Sequence, residues 1–484
     1  NESLRASGMA HILAISGLHM TLIVGSIFFG LRFAMALHPT WPLRYPTKKV
    51  AAAAALAVAT AYLAISGAGL ATQRAYITLA VMLVALLLDR RAISLRNVAV
   101  AAAIVLIMQP HAIFLAGFQM SFAAVASLVA SYRAFGKLRE RAEVLVASGL
   151  PLRGRDALIA RWFGASYGVH QRSWWQEGLQ WCLRFFAGIA LTSLIAGLGT
   201  GLFAAWHFHR VAPMGLLANL LAMPFVTVAV MPGLLTAMFS LPFGLDPIFL
   251  GGAGRGIETV QSIASWSANI GPHGRTGAMP LSVFLVCLAG LAAAICLRGA
   301  AKLVAAPIAT AGIMVWSLGV VAIDPPEVLT SPDRGLVAVR KDVSNYQLNS
   351  VRSQAFTRDL WLRAYAPSVG TGDQLATMQC DAHGCFARSE RGLAVSWAKT
   401  PEALREDCAK VDLVVTKLAT PEICAATIVN AETEGGALAI NSKMEMQAEG
   451  TNRVHIRTAN ALVHRPWNRR TEMAFQPSRA SGRD

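Results

Sequence analysis

Acidic residues are scarce in the first two thirds of this chain. Before Asp324 there are eight: Glu2, Asp89, Glu140, Glu143, Asp156, Glu177, Asp246 and Glu258. Charged residues of both signs make up 14% of the 484-residue sequence, against about 25% in ordinary soluble domains. That shortage excludes a typical soluble enzyme and a polar disordered chain. Cysteine is also sparse, and seven in 484 residues exclude a scaffold held together by disulfides. No glycine-rich phosphate loop followed by Lys-Ser/Thr occurs, which leaves no sign of a built-in ATPase. No repeat of 20–50 residues occurs either, so a solenoid is excluded.

What the chain has instead is apolar length. It is 55% hydrophobic, with mean hydropathy +0.48. Apolar runs lie at about 9–31, 50–70, 75–88, 98–108, 112–131, 185–206, 213–243, 280–297 and 303–323. A helix needs roughly 20 residues to span the hydrocarbon, so 98–108 is short and 213–243 long. The long run carries Pro213, Pro224, Pro232 and Pro242, each removing a backbone donor. It is expected to form two short or broken helices, giving about ten crossings; one kinked helix is the competing reading. Asn1 stands where an initiator Met would, no basic segment or small-residue cleavage site precedes the first run, and more chain is expected upstream rather than a signal peptide.

The few charges are lopsided, 43 Lys+Arg against 27 Asp+Glu, a net of +16. Alternate connections are basic: Arg32, Arg44, Lys48 and Lys49; then Arg90, Arg91 and Arg96; then nine Lys/Arg against four acids in 133–184. The intervening connections hold Arg74 alone, nothing at 109–111, and Arg210. The excess of Lys/Arg in cytoplasmic loops places the first set inside and the N-terminus outside. With two crossings in 213–243, the Arg298–Lys302 connection is also inside and the C-terminal region outside. The 133–184 loop interleaves its Arg and Lys with Trp162, Trp174, Trp175 and Trp181. That mixture suits single-stranded nucleic acid and equally an amphipathic helix on the inner leaflet.

From Asp324 on, 20 Lys+Arg nearly balance 19 Asp+Glu. Short β-rich runs recur at 335–340, 393–397, 411–416, 426–429, 438–441 and 454–458, with a helix expected at 401–410. The fold class is a polytopic α-helical membrane protein with a C-terminal soluble α/β or α+β domain. Three regions are expected: membrane-embedded 1–323, soluble 324–467, and a disordered tail over 468–484.

Polar side chains inside apolar helices are functional candidates by default. His11, Ser16 and His19 fall in the first run. At about 100° per residue, His19 lies about 80° and Ser26 about 60° from His11, so one face is polar. Lining a pathway and hydrogen bonding to a neighbouring helix both explain that face. Ser66-Gly67-Ala68-Gly69 precedes Gln73 and Arg74, which suggests a tight turn or a broken helix; Arg74 suits a phosphate or an interfacial position. In Gly117-Phe-Gln-Met-Ser-Phe122, Gly117 and Ser121 allow close helix contact, while Gln119 faces away and needs a partner. Ser193, Gly197 and Gly201 repeat the small-residue spacing, read as packing. Cys380-Asp-Ala-His-Gly-Cys385 is the one local cluster of metal-ligand types, but a structural zinc site wants four ligands. His455 and His464, the other C-terminal histidines, lie far from it. Outside the membrane a Cys380–Cys385 disulfide is favoured, with Cys408–Cys424 a second pair. No metal, cofactor or catalytic set is expected.

The stretches His11–His19, Gly67–Arg74, Gly117–Phe122 and Asn219-Leu-Leu-Ala-Met-Pro224 resemble the competence domain of the ComEC family, bacterial membrane proteins of DNA uptake. The resemblance covers about residues 1–323. It implies a multi-pass inner-membrane channel that passes one strand of transforming DNA into the cytoplasm, and the charge pattern then makes the C-terminal domain periplasmic. Its implied partners are single-stranded DNA, membrane lipids, a DNA receptor, a cytoplasmic helicase and further copies of the chain. His11, Ser16, His19, Gln73, Arg74, Gln119 and Asn219 are the candidates for the DNA path. Many family members carry an upstream OB-like domain and end in a metallo-β-lactamase-like domain. Here the His-x-His-x-Asp-His motif is missing, so 324–467 reads as a degenerate version without the ligands for two-metal hydrolysis, and nuclease activity is not carried over. The alternative is a small-molecule transporter, for which polar residues and broken helices are equally apt. A membrane enzyme using His/Ser chemistry ranks below both, for want of acidic partners.

Overall fold

Alanine decides how the first helices pack. In the computed structural model, α1 (Gly17–Ala36), α2 (Thr47–Ile65) and α3 (Leu70–Leu87) form a layer. Ala52, Ala55 and Ala59 of α2 are fully buried against Met20 and Val24 of α1 and Leu83 of α3. Spacings of three and four put small side chains on one stripe, and the backbones approach closely. The structure describes residues 4, 7–9, 17–38, 40–147, 174–212, 214–270, 274–297, 305–317, 323–342, 345–366, 376–419, 421, 423–430, 437–443 and 453–458. It divides into two units, Asn1–Gly274 with Leu281–Val320, and Arg275–Pro280 with Val321–Asp484.

The first unit continues with α4 (Leu95–Met108), α5 (Ala116–Ala147) and α6 (Trp174–Phe208). Ser94 caps α4 by accepting from the Asn97 amide at 3.2 Å, the usual role of Ser there. The crossing of α5 and α6 uses Gly199, where a Cβ would stand 2.5 Å from Ser127 Oγ. Gly197 and Gly201, expected to form that stripe, have nothing within 4 Å. The Gly199 face, half a turn away, makes the contact.

The expectation for 213–243 is corrected. Helix α7 (Gly215–Phe225) runs through a π turn (Val226–Val230) into α8 (Met231–Ser240) without reversing, and the backbone is right-handed helical at both junctions. The run is a single candidate span, Gly215–Met238, not two. A π turn re-registers the ladder that the prolines interrupt, and Thr227 Oγ1 donates to the Met223 carbonyl at 2.8 Å. The return strand of this hairpin is α9 (Asp246–Ile270), which packs against α7, the π turn and α8. Gly233 against Ala253 and Gly256 against Val230 allow the approach. The hairpin closes where the Val211 amide donates to the Gly274 carbonyl at 2.7 Å. Helices α10 (Leu281–Cys296) and α11 (Ala305–Ser317) form a further pair.

The protein is thus mostly helical, and among the described residues five helices are long and apolar enough to cross a membrane: His19–Ala36, Thr47–Ile65, Leu70–Leu87, Trp181–Phe208 and Gly215–Met238. Leu95–Met108 and Leu281–Cys296 are apolar but shorter.

The second unit has four layers. Strands β1 (Val328–Thr330), β2 (Val337–Arg340), β3 (Tyr346–Leu348), β9 (Leu438–Lys443) and β10 (Arg453–Thr458) form an antiparallel sheet in the order β10-β9-β1-β2-β3. The other sheet runs β4 (Gln379–Cys380), β5 (Gly384–Arg388), β6 (Ala394–Ala398), β7 (Leu413–Thr416), β8 (Thr427–Val429). Val328, Val337, Val339 and Ile440 of one sheet meet Val395, Leu413, Val415 and Val429 of the other in a buried core. Outside the first sheet lies α12 (Ala355–Tyr365), and outside the second α13 (Pro401–Asp407). Helix α13 crosses between the parallel strands β6 and β7, the usual connection for that pairing. All six expected β runs contain a strand.

Candidate functional site

Polar side chains gather at one end of the helical unit, where α3 and α5 begin and α4 and α6 finish. The gathering starts from a turn. Helix α2 stops at Ser66, Gly67 (φ +74°) and Ala68 (φ +49°), and the Ala68 amide donates to the Leu63 carbonyl at 3.1 Å. Glycine carries the first left-handed position without steric cost. Gln73 Nε2 then donates back to the Ala68 carbonyl at 2.8 Å, and its Oε1 accepts from Gln109 Nε2 at 3.2 Å. This ties the start of α3 to the end of α4.

Arg74 follows on the same turn. Its guanidinium lies against bare Gly117: a Cβ there would stand 2.9 Å from Nη2 and 3.3 Å from Nη1. Arg74 Nε is buried and has no hydrogen-bond partner. No carboxylate pairs with Arg74 among the described residues. The cavity beside it, lined by Leu70, Gln73, Arg74, Ile77, Val105 and Gln109, measures about 10 Å³, room for about one water.

Gln119 points to the other side of α5. It donates to the Ile113 carbonyl at 2.9 Å, closing the 3₁₀ turn Pro110–Phe114, and its Oε1 faces His207 Nε2 on α6 at 2.7 Å. Two neighbouring polar groups therefore share the first turn of α5. His19 is half-buried near the start of α1, where Gly17 sits beside Ala75 of α3. Asn219 is on α7, its Oδ1 buried without a hydrogen-bond partner. His11 and Ser16 lie outside the described residues. The structure brings Gln73, Arg74 and Gln119 into one neighbourhood. It adds Gln109 and His207, which sequence reasoning did not name. His207 carried a signal, an ionisable residue in an apolar run, and Gln109 the same one in weaker form.

In the second unit Cys380 and Cys385 are register partners across β4 and β5, with S–S 2.07 Å. Cys408 and Cys424 are joined at 2.10 Å, beside the core under α13. Asp381 serves the first hairpin: its carboxylate accepts from the Gly384 and His383 amides, which holds it below the usual carboxylate range. Near the end of β7, Asp333 accepts from Ser331 Oγ at 2.6 Å and Gln354 Nε2 at 2.7 Å, and faces Lys417 Nζ at 3.4 Å. The Ser331 hydrogen bond is the chief reason its carboxyl is held well below the ordinary range. No group of three or more His, Cys, Asp or Glu is placed to hold a metal ion among the described residues.

The family model described as Competence protein matches residues 1–301. ComE operon protein 3 of Bacillus subtilis (strain 168) is 24% identical over 234 residues, which is 48% of this chain and 23% of that relative's length. No solved structure matches. The match covers more than half of the chain and every described residue of the polar end. This apolar, mostly helical membrane protein belongs to the Competence protein family.

Proposed function

We propose that this chain forms the inner-membrane passage through which one strand of transforming DNA enters the cytoplasm. A role in competence DNA uptake follows from its family; the passage itself is inferred from Arg74. A guanidinium with a buried, unpartnered Nε, set against a glycine backbone and beside the amides of Gln73 and Gln109, suits a phosphate that comes and goes. A structural arginine inside apolar helices would be expected to hold a permanent carboxylate or carbonyl. His19, Gln119 and Asn219 extend the same polar lining, as do His11 and Ser16 by sequence.

The role is passive lining rather than catalysis. Force comes from a cytoplasmic helicase or the membrane potential, the strand from a DNA receptor outside, and the passage is shared with further copies of the chain. The unit beyond 324 is read as a degenerate metallo-β-lactamase-like domain, supported by the strand–helix–strand order of β6, α13 and β7. Its two cystine pairs support a periplasmic position.

The test is internalisation of labelled DNA by a transformable host whose only copy of this chain is wild type, deleted, Arg74→Ala or His19→Ala. Deletion is expected to leave DNA bound at the surface and abolish entry. Loss of a charge-assisted contact, about 1.5–3 kcal/mol, predicts a roughly 10- to 100-fold lower entry rate for Arg74→Ala. Normal entry in the deletion strain would sink the proposal.

A further inference from the structure

Far from the polar end, α5 and α6 leave a groove of about 390 Å³ between them. On α6 it runs from Arg184 past Gly188 to Ile195, and on α5 from Tyr132 to Leu128. Eleven residues of helix from Arg184 to Ile195 rise about 16 Å, close to half of the roughly 30 Å hydrocarbon thickness. The groove is therefore one leaflet deep. Its charged end belongs to the basic 133–184 connection, and Trp181, stacked on Phe185 with ring centroids 5.6 Å apart, lies one turn before Arg184, as aromatic anchors do at the headgroup level.

Its charge is confined to one end. Arg184 and Tyr132 line that end, with Arg133 and Lys137 following on α5. Glu143, further along α5, is held by Arg139 at 3.0 Å, and no carboxylate pairs with Arg184 among the described residues. Deeper in, the lining is Gly188, Leu128 and Ile195. Gly188 has nothing within 4 Å of where a Cβ would be.

We propose that this groove binds one anionic phospholipid of the inner leaflet, its phosphate on Arg184 and Tyr132 and an acyl chain along Gly188 to Ile195. The assignment rests on the inward orientation of the basic loop and not on the passage of DNA. A lone cation at a leaflet-deep apolar slot selects a charged headgroup over a neutral one, by about 1 kcal/mol per Arg near an anionic surface, which is about fivefold.

The experiment uses the full chain in detergent with equal amounts of phosphatidylglycerol and phosphatidylcholine of identical acyl chains, and counts retained lipid by native mass spectrometry. One phosphatidylglycerol is expected per chain, preferred about fivefold. Arg184→Gln is expected to abolish the preference, and Gly188→Leu, which fills the slot, to lower retention of both lipids. A photoreactive residue replacing Thr192 is expected to label lipid. Equal retention of the two lipids by the wild type, an unchanged preference in Arg184→Gln, or labelling of residues 148–173 in place of lipid would each overturn the site. Should Gly188→Leu fail to fold, the Arg184→Gln comparison, made on an exposed side chain, decides alone.

Discussion

At the scale of the residue, Gly117 and Arg74 form a pair whose parts can be tested separately. The atoms that a Cβ at 117 would meet belong to the flexible end of Arg74, so the guanidinium moves and the helices stay. Alanine is also the better helix former by up to about 1 kcal/mol. Gly117→Ala is therefore expected to leave thermal stability in detergent unchanged or slightly raised, while DNA entry falls toward the level of Arg74→Ala. Equal entry by Gly117→Ala and wild type would show that the position of the guanidinium does not matter. The candidates themselves were legible because a polar side chain inside an apolar run is conspicuous. Their partners were not: Gln109 and Gln73 are 36 residues apart, His207 and Gln119 88, and no local pattern links residues at such distances. Gly117 shows the same limit from the other side. Its spacing to Ser121 read as a helix contact, whereas its neighbour is a side chain from α3.

At the scale of the element, hydropathy found the long apolar helices and passed over α9. Helix α9 carries Asp246, Arg255, Glu258 and Gln261, which keeps it below any apolar threshold. Its buried residues, Ala253, Gly256, Val260, Ala264 and Ser267, recur at three and four, and that stripe covers the kinked helix. The prolines of 213–243 read as a chain break because proline removes a hydrogen bond; the π turn absorbs the loss without a reversal, a choice made by packing against α9. Gly256 is where this packing is tightest, with a Cβ falling 2.8 Å from Val230 Cγ2 in the π turn and 3.4 Å from Ala229 Cβ. Gly256→Leu is expected to destabilise the protein by about 1–3 kcal/mol, the usual cost of overpacking. Gly252→Leu, on the same helix with nothing within 4 Å, is expected to change stability by less than about 0.5 kcal/mol. Thermal unfolding of the two variants in one detergent checks this, and similar losses in both would mean that α9 does not press on the kinked helix there.

At the scale of the whole molecule, the orientation proposed from the charged connections is compatible with the correction to 213–243. The sequence argument needed two crossings between Arg210 and the Arg298–Lys302 connection, in addition to the span at 280–297, for the C-terminal region to end outside. It placed both inside one run. On that reading α7–α8 is one crossing and α9, packed back along it, the other, and the hydrogen bond from the Val211 amide to the Gly274 carbonyl brings the two ends of this hairpin together. Residues Arg275–Pro280 belong to the second unit, with the Ala278 amide donating to the Ala364 carbonyl at 2.8 Å. The proposed orientation puts the connection after α9 and residue 322 both outside, with one crossing each by α10 and α11. The turn at Leu241–Leu245 carries no Lys or Arg, so its own charge does not indicate a side. Reporter fusions read all of this directly. A fusion after Gly149 or Gly244 is expected to score as cytoplasmic, and one after Thr276 or Ala322 as external, where Cys380–Cys385 and Cys408–Cys424 resist thiol labelling until reduced. A cytoplasmic score at Ala322 with an external one at Thr276 would contradict the shared side, and cytoplasmic scores at both would turn the C-terminal unit inward and remove the oxidising setting that its cystines require.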